Sequence, residues 1–301
     1  MKAILKTLLK AVLPHGLVAL HRRRQALLAR LNEESARAQY HAARRQKIAA
    51  TETCVPCDPL LNADNYEEIV GFLRDRGLPE NHIREGSVPP ESLEFIREHV
   101  VKQWDGTRPL RALHIGNFVG VSLTTLTAAL VQIHPESLMV SVDPNLPHRG
   151  IHHPQSHVLA LLSACGLQSN SLVLAGYSGK KSVSNDATVF DGYDPAAEFA
   201  KETATENVLE NLARICPGTF DLVFLDGNHD AAYLLGELQT LRPLLRPGGS
   251  VVLDDVDAAW AEIRAVFERI GDLGLESVAA DGRVGIARLK PLEQKPGPLL
   301  P

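Results

Sequence analysis

From residue 110 to residue 254, short apolar runs alternate with longer helical patterns. The apolar runs are Leu110–Ile115, Leu138–Val142, Ser171–Ala175, Phe220–Asp226 and Ser250–Asp254. Between them lie Ser122–Ile133, Gln155–Cys165, Ala196–Ile215 and Ala231–Leu245, whose composition suits helices. Runs this apolar are buried on both faces, so the pattern predicts an α/β fold with a mostly parallel, doubly wound sheet covered by helices. In such a sheet, ligands sit beyond the carboxyl ends of the strands, where the strand order reverses. The run Phe224-Leu225-Asp226-Gly227-Asn228-His229 ends the fourth strand and Leu253-Asp254-Asp255 ends the fifth. That places three carboxylates and an imidazole at one edge. Carboxylates that close repel unless a cation or shared protons offset them, and a hard divalent cation with oxygen ligands is the simplest solution.

After a further helical stretch, Ala258–Ile270, two β-like runs follow, Leu275–Ala279 and Val284–Leu289, joined by Asp281-Gly282-Arg283 as in a hairpin. Upstream, Asn65–Arg76 and Pro90–Trp104 read as helices, the second opened by Pro89-Pro90 with Glu91 and Glu94 in its first turn. The expected organisation is a basic arm over 1–50, a helical cap over 51–105, a core over 106–290 and a disordered, proline-rich tail over 291–301.

Charge is unevenly spread. Residues 1–50 carry eleven Lys/Arg against two Glu, and the rest carries twenty against thirty-four Asp/Glu. An acidic body argues against a nucleic-acid enzyme. Within the arm, Met1, Ile4, Leu5, Leu8, Leu9, Val12 and Leu13 share one helix face opposite Lys2, Lys6 and Lys10. That face suits docking on the body or on a second subunit, or, over residues 1–24, an anionic membrane surface. No apolar run is long enough to span a membrane. Cys54, Cys57, Cys165 and Cys216 form no disulfide framework, and Cys54-Val-Pro-Cys57 reads as reduced thiols; the expected location is the cytoplasm, with the inner membrane face as the arm's alternative.

Two glycine-rich features carry the cofactor argument. Gly116-Asn117-Phe118-Val119-Gly120-Val121-Ser122 follows the first strand and opens a helix, and Asp143 ends the second strand. Glycines let backbone approach a ligand, and a carboxylate at the second strand end can accept a ribose diol. The loop is not Gly-x-Gly-x-x-Gly and is not followed by Gly-Lys-Ser/Thr, which disfavours a dinucleotide oxidoreductase and a pyrophosphate cradle. His148, His152, His153 and His157 suit a loop lining the mouth of the site better than a metal centre. The stretch Lys180–Thr205 is long for a connection and is a candidate acceptor lid, with Tyr193 and Phe199 among its contacts.

On these motifs, with Leu245-Arg246-Pro247-Gly248-Gly249, residues 85–290 resemble the class I S-adenosylmethionine-dependent methyltransferases. The likeness is greatest to the family-24-like branch related to catechol O-methyltransferase and to metal-dependent sugar O-methyltransferases. It implies a Rossmann-like seven-stranded sheet ending in a β-hairpin, with an N-terminal helical extension. It further implies that Gly116, Phe118, Gly120 and Ser122 hold the methionine end of S-adenosyl-L-methionine, that Asp143 holds the ribose, and that Gly176, Tyr177 and Ser178 flank the adenine. Asp226, Asp254 and Asp255 fall on the positions of ligands to Mg²⁺ or a similar cation, and His229 on that of a general base. His114 stands where the family has an acid that helps hold the cofactor's amino group. The expected reaction is metal-assisted O-methylation of a saccharide or a glycosylated or polyketide-type metabolite. A catechol-like phenol, or a scaffold that has lost catalysis, are the alternatives. A homo-oligomer is compatible with this reading.

Overall fold

The computed structural model describes residues 59–179 and 207–290. The basic arm, Cys54, Cys57, the candidate lid with Tyr193 and Phe199, and the proline-rich tail lie outside the described residues. The strands are β1 Arg111–Ile115, β2 Leu138–Asp143, β3 Ser171–Ala175, β4 Phe220–Leu225, β5 Leu245–Leu253, β6 Leu275–Ala280 and β7 Gly285–Leu289. They form one sheet in the order β3-β2-β1-β4-β5-β7-β6. β1 to β5 pair in parallel, and β7 inserts antiparallel between β5 and β6. This is the doubly wound seven-stranded sheet with its terminal hairpin.

The helices are α1 Tyr66–Asp75, α2 Glu80–Glu85, α3 Pro90–His99, α4 Val121–Ile133, α5 Pro154–Ala164, α6 Val208–Ile215, α7 Ala231–Leu241 and α8 Ala261–Glu268. Strand periodicity sorts the core into two layers. Ala112, Leu222, Phe224, Val252 and Ile286 face α1 to α5, whereas Leu113, Ile115, Val223, Leu225, Val251 and Leu253 face α6 to α8. The first three helices therefore share a hydrophobic core with α4 and α5 on one face of the sheet.

Several boundaries differ from the sequence expectation. α3 stops at His99, where the β-branched pair Val100-Val101 gives way to a 3-10 turn over Val101–Gln103. α2 was not anticipated; it is too short to show a period. α6 begins at Val208, because the Asn207 side chain accepts the Glu210 amide at 2.7 Å and caps the helix there, so the expected run from Ala196 does not continue through it. α7 ends at Leu241, and Pro243 sits in the 3-10 turn that follows. Pro247-Gly248-Gly249, ahead of the expected strand Ser250–Asp254, forms an irregularity inside β5. Between the pairs Phe220–Leu245 and Leu222–Ser250, β4 advances two residues while β5 advances five.

Candidate active site

The strand order reverses between β1 and β4, and a cleft of about 260 Å³ opens there. Its walls come from the ends of four strands and from three outer segments. Ile115, Gly116 and Phe118 follow β1, Asp143 to His148 extend from β2, Asp226 to His229 follow β4, and Asp255 and Trp260 follow β5. Tyr177 and Ser178 come from the β3 loop, Glu85 and Gly86 from the end of α2, and Arg283 from the hairpin turn.

Backbone strain concentrates here. Phe118, Asn145, Arg149 and Asp255 are the non-glycine residues with positive φ among the described residues, at 45°, 58°, 49° and 57°. Three of them line the cleft, and the fourth lies between lining residues. Each such conformation costs on the order of 1–3 kcal/mol and persists only where the surroundings enforce it.

The glycine loop is held mainly by protein. Gly116 has φ +84°, and a Cβ there would lie 1.9 Å from the Asp226 carbonyl oxygen. Gly120 has φ +93°, and its Cβ would press on Val158 of α5 at 3.2 Å. The Asp143 carboxylate accepts the Asn117 amide at 2.6 Å and the Asn145 amide at 2.5 Å, tying the two loops together. Its exposed edge still faces the cleft, and burial raises its pKa against the lowering pull of those amides.

Of the expected cofactor contacts, Gly116, Phe118, Asp143, Tyr177 and Ser178 form the cleft wall. Gly120, Ser122 and Gly176 do not. Ser122 is buried, with Oγ 3.1 Å from Nε2 of His114, and Gly176 abuts Val208, where a Cβ would come within 2.9 Å of Cγ2. His114 also faces away from the cleft. It is fully buried, its ring is 4.7 Å from that of Phe224, and burial lowers its pKa to about 3. It is a neutral core histidine, so it neither holds an ammonium group nor argues for a scaffold. The hydroxyl of Ser178 hydrogen-bonds the Glu237 carboxyl and lies 3.1 Å from the Tyr233 hydroxyl, which itself accepts the Gly179 amide at 2.9 Å. The β3 loop is thereby pinned to α7.

At the other end of the cleft the acids divide. Asp254 is buried and receives both ends of the Arg283 guanidinium, Nε to Oδ1 at 3.0 Å and Nη2 to Oδ2 at 2.8 Å. Asp254, expected beside Asp226 and Asp255, is thus paired with Arg283. Among the described residues, the donors that converge are Asp226, His229 and Asp255, whose ligand atoms lie within 4.8 Å of one another. This convergence is not visible in the sequence, because Arg283 reads there only as a turn residue. Enclosure by protein, then repulsion from Asp254 and Asp255, holds the Asp226 carboxyl well above the usual carboxylate range. His229 Nε2 is 2.8 Å from Oδ2 of Asp255 but lacks the alignment of a hydrogen bond. Two acceptor-bearing groups so close and unaligned, beside a third repelled carboxylate, fit a divalent cation held by Asp226 and Asp255. The His229 ring is fixed by the Trp260 ring at 4.2 Å. It does not cap α7; Asp230 does, accepting the Tyr233 amide at 2.9 Å. Trp260, Arg283, Glu85 and Arg149 were missed as cleft residues. Among them only Trp260, one of two tryptophans in the chain and close behind a strand end, carried a sequence signal.

The cleft at the strand-order reversal is where a doubly wound sheet takes its ligand. Residues 113–256 match the family model described as a methyltransferase domain, which spans β1 to β5 and both carboxylates after β5. Over those residues the chain carries the pattern of a methyltransferase domain. No curated protein matches its sequence. Among solved structures, cofactor-bound Rv0187 from MTB is 20% identical with TM-score 0.47, covering 81% of this chain and 96% of its own. The SAH-bound methyltransferase PaMTH1 of Podospora anserina is 15% identical with TM-score 0.49, covering 83% and 96%. A putative caffeoyl-CoA O-methyltransferase of Staphylococcus aureus is 14% identical with TM-score 0.46, covering 75% and 92%. Likenesses at this level carry no chemistry across.

Proposed function

We propose that the enzyme methylates a hydroxyl of a saccharide or of a glycosylated or polyketide-type metabolite, at a site that also holds a divalent cation such as Mg²⁺. The observation that carries this reading is the convergence of Asp226, His229 and Asp255 at one end of the cofactor cleft. Asp226 and Asp255 would hold the cation. When bound, it would lower the pKa of an acceptor hydroxyl and orient it.

The chain's own groups account for the rest. The oxygen–carbon bond forms as the sulfur–carbon bond breaks, and the electron pair stays on sulfur, so alignment of the hydroxyl with the sulfonium carbon supplies much of the rate. His229 takes the hydroxyl proton at Nε2, which lies 2.8 Å from Oδ2 of Asp255 without the alignment of a hydrogen bond. Trp260 keeps the imidazole in place through ring contact, and Arg283 neutralises Asp254 so that the cluster's remaining charge falls on the cation-binding pair.

Methyl transfer from labelled S-adenosylmethionine to a panel of glycosides and phenols, with Mg²⁺ or with excess EDTA, tests the reading. Turnover on a glycoside should vanish in EDTA and return with Mg²⁺. His229→Ala should still bind cofactor and still be stabilised by Mg²⁺ in thermal melts, while turnover falls by about a hundredfold or more. Glycoside turnover that survives EDTA would remove the cation from the mechanism.

A further inference from the structure

We propose that Glu85 and Arg149 form a clamp for the amino-acid end of the cofactor, with Glu85 taking the α-ammonium group and Arg149 the α-carboxylate. The inference rests on the S-adenosylmethionine reading. That ligand ends in a zwitterion, which needs an anion and a cation side by side. At the glycine-loop end of the cleft, Glu85 and Arg149 supply such a pair. Oε2 and Nη1 are 2.8 Å apart, and both residues line the cleft wall. The pair lies beside the loop that follows β1, since Gly86 packs so closely on Phe118 that an added Cβ would be 2.5 Å from the ring.

The other charged groups of the cleft are committed. Asp143 carries the two loop amides, Arg283 is bound to Asp254, and Asp226 and Asp255 sit at the reacting end. His114, neutral and buried, faces Ser122.

The backbone around Arg149 points the same way. His148 and Ile151 exchange both backbone hydrogen bonds, at 3.1 Å and 2.9 Å, and enclose a two-residue turn. Arg149 and Gly150 both have positive φ, 49° and 76°, the signature of a type I′ turn. The first position of that turn favours Asn, Asp or Gly, not Arg. The salt bridge does not explain the choice, because both side chains are substantially exposed, at 35% and 58%, and such pairs add little to stability. An arginine kept at a strained position for little structural gain fits a ligand contact. On binding, one intramolecular ion pair is exchanged for two charge-assisted pairs with the ligand.

Titration calorimetry with S-adenosylhomocysteine and with 5′-methylthioadenosine, which keeps the thioether nucleoside but lacks the amino acid, tests the clamp. Glu85→Gln and Arg149→Gln should each weaken S-adenosylhomocysteine at least tenfold and leave methylthioadenosine within twofold. Arg149→Gly suits the turn better than arginine, so it should melt no lower than the wild type and still lose S-adenosylhomocysteine affinity. Unchanged S-adenosylhomocysteine binding in these variants, or equal loss of both ligands, overturns the clamp. A wild type that binds both ligands equally well also overturns it while leaving the cofactor reading intact. A wild type that binds neither sinks the cofactor reading and the clamp with it.

Discussion

At the scale of single residues, two buried titratable groups pull stability in opposite directions with pH. His114 is neutral in the fold, its pKa lowered to about 3 from an unfolded value near 6.5. Below pH 6.5 the unfolded chain binds a proton that the folded chain refuses, so stability falls as pH drops toward 3. Glu237 is the reverse. Burial raises its pKa to about 8, against the lowering hydrogen bond from Ser178, so the fold keeps it protonated. Its contribution is fully present below about 4.5 and is lost as pH rises through 8. Each group should tilt the urea-unfolding free energy by up to about 1.4 kcal/mol per pH unit within its window. Glu237→Gln should flatten the slope between pH 5 and 8 and leave the slope below pH 4 as it is. A variant with an unchanged slope would mean that the carboxyl is ionised in the fold. Neither environment was legible in the sequence. His114 read as a departure at a cofactor position, and burial under α4 shows it to be a core residue; Glu237 read as one more polar residue on a helix. By contrast Asp143 and Asp226 could be placed from sequence, because strand ends fix where side chains emerge.

Among elements, the alternation of strands and helices was readable because buried parallel strands need continuous apolar runs, and the hairpin β6–β7 because its turn carries Asp281-Gly282. What could not be read were places where one element is shaped by another. α2 exists because Ile83 finds a pocket in the core, and β5 begins early because Leu245 pairs with Phe220 before the bulge. The loop between β1 and α4 is the sharpest such case. Gly116 is required by the Asp226 backbone more than by a ligand. Gly116→Ala must either move β4 or abandon its conformation. It should lower stability by at least about 2 kcal/mol, read as a lower denaturation midpoint at unchanged m-value, in the absence of any cofactor. A midpoint within error of the wild type would mean that the loop has slack the geometry does not show.

Taken as a whole molecule, the chain joins a basic first fifty residues to an acidic remainder. If residues 1–24 meet an anionic membrane, the full chain should sediment with vesicles rich in phosphatidylserine and be released near 1 M salt, where screening lengths shrink to about 3 Å. Deleting them should abolish sedimentation and spare turnover. If they meet protein, the deletion should instead change the melting temperature or the oligomer measured by light scattering. No change in any of these readouts would exclude both roles. Charge distribution was legible from the sequence; the arm's target was not, because the same apolar face serves lipid and protein alike.

The place of Arg283 bears on how the enzyme comes into being. Its guanidinium reaches from the turn of the last hairpin to Asp254 at the end of β5, and β7 fills the position between β5 and β6. A ribosome therefore releases every acid of the site well before the cation that offsets Asp254 and the strand that closes the β5 edge. Until the hairpin emerges, the nascent chain carries an open sheet edge beside an uncompensated negative cluster, so the cleft can take its final form only after Arg283 and β7 have left the ribosome.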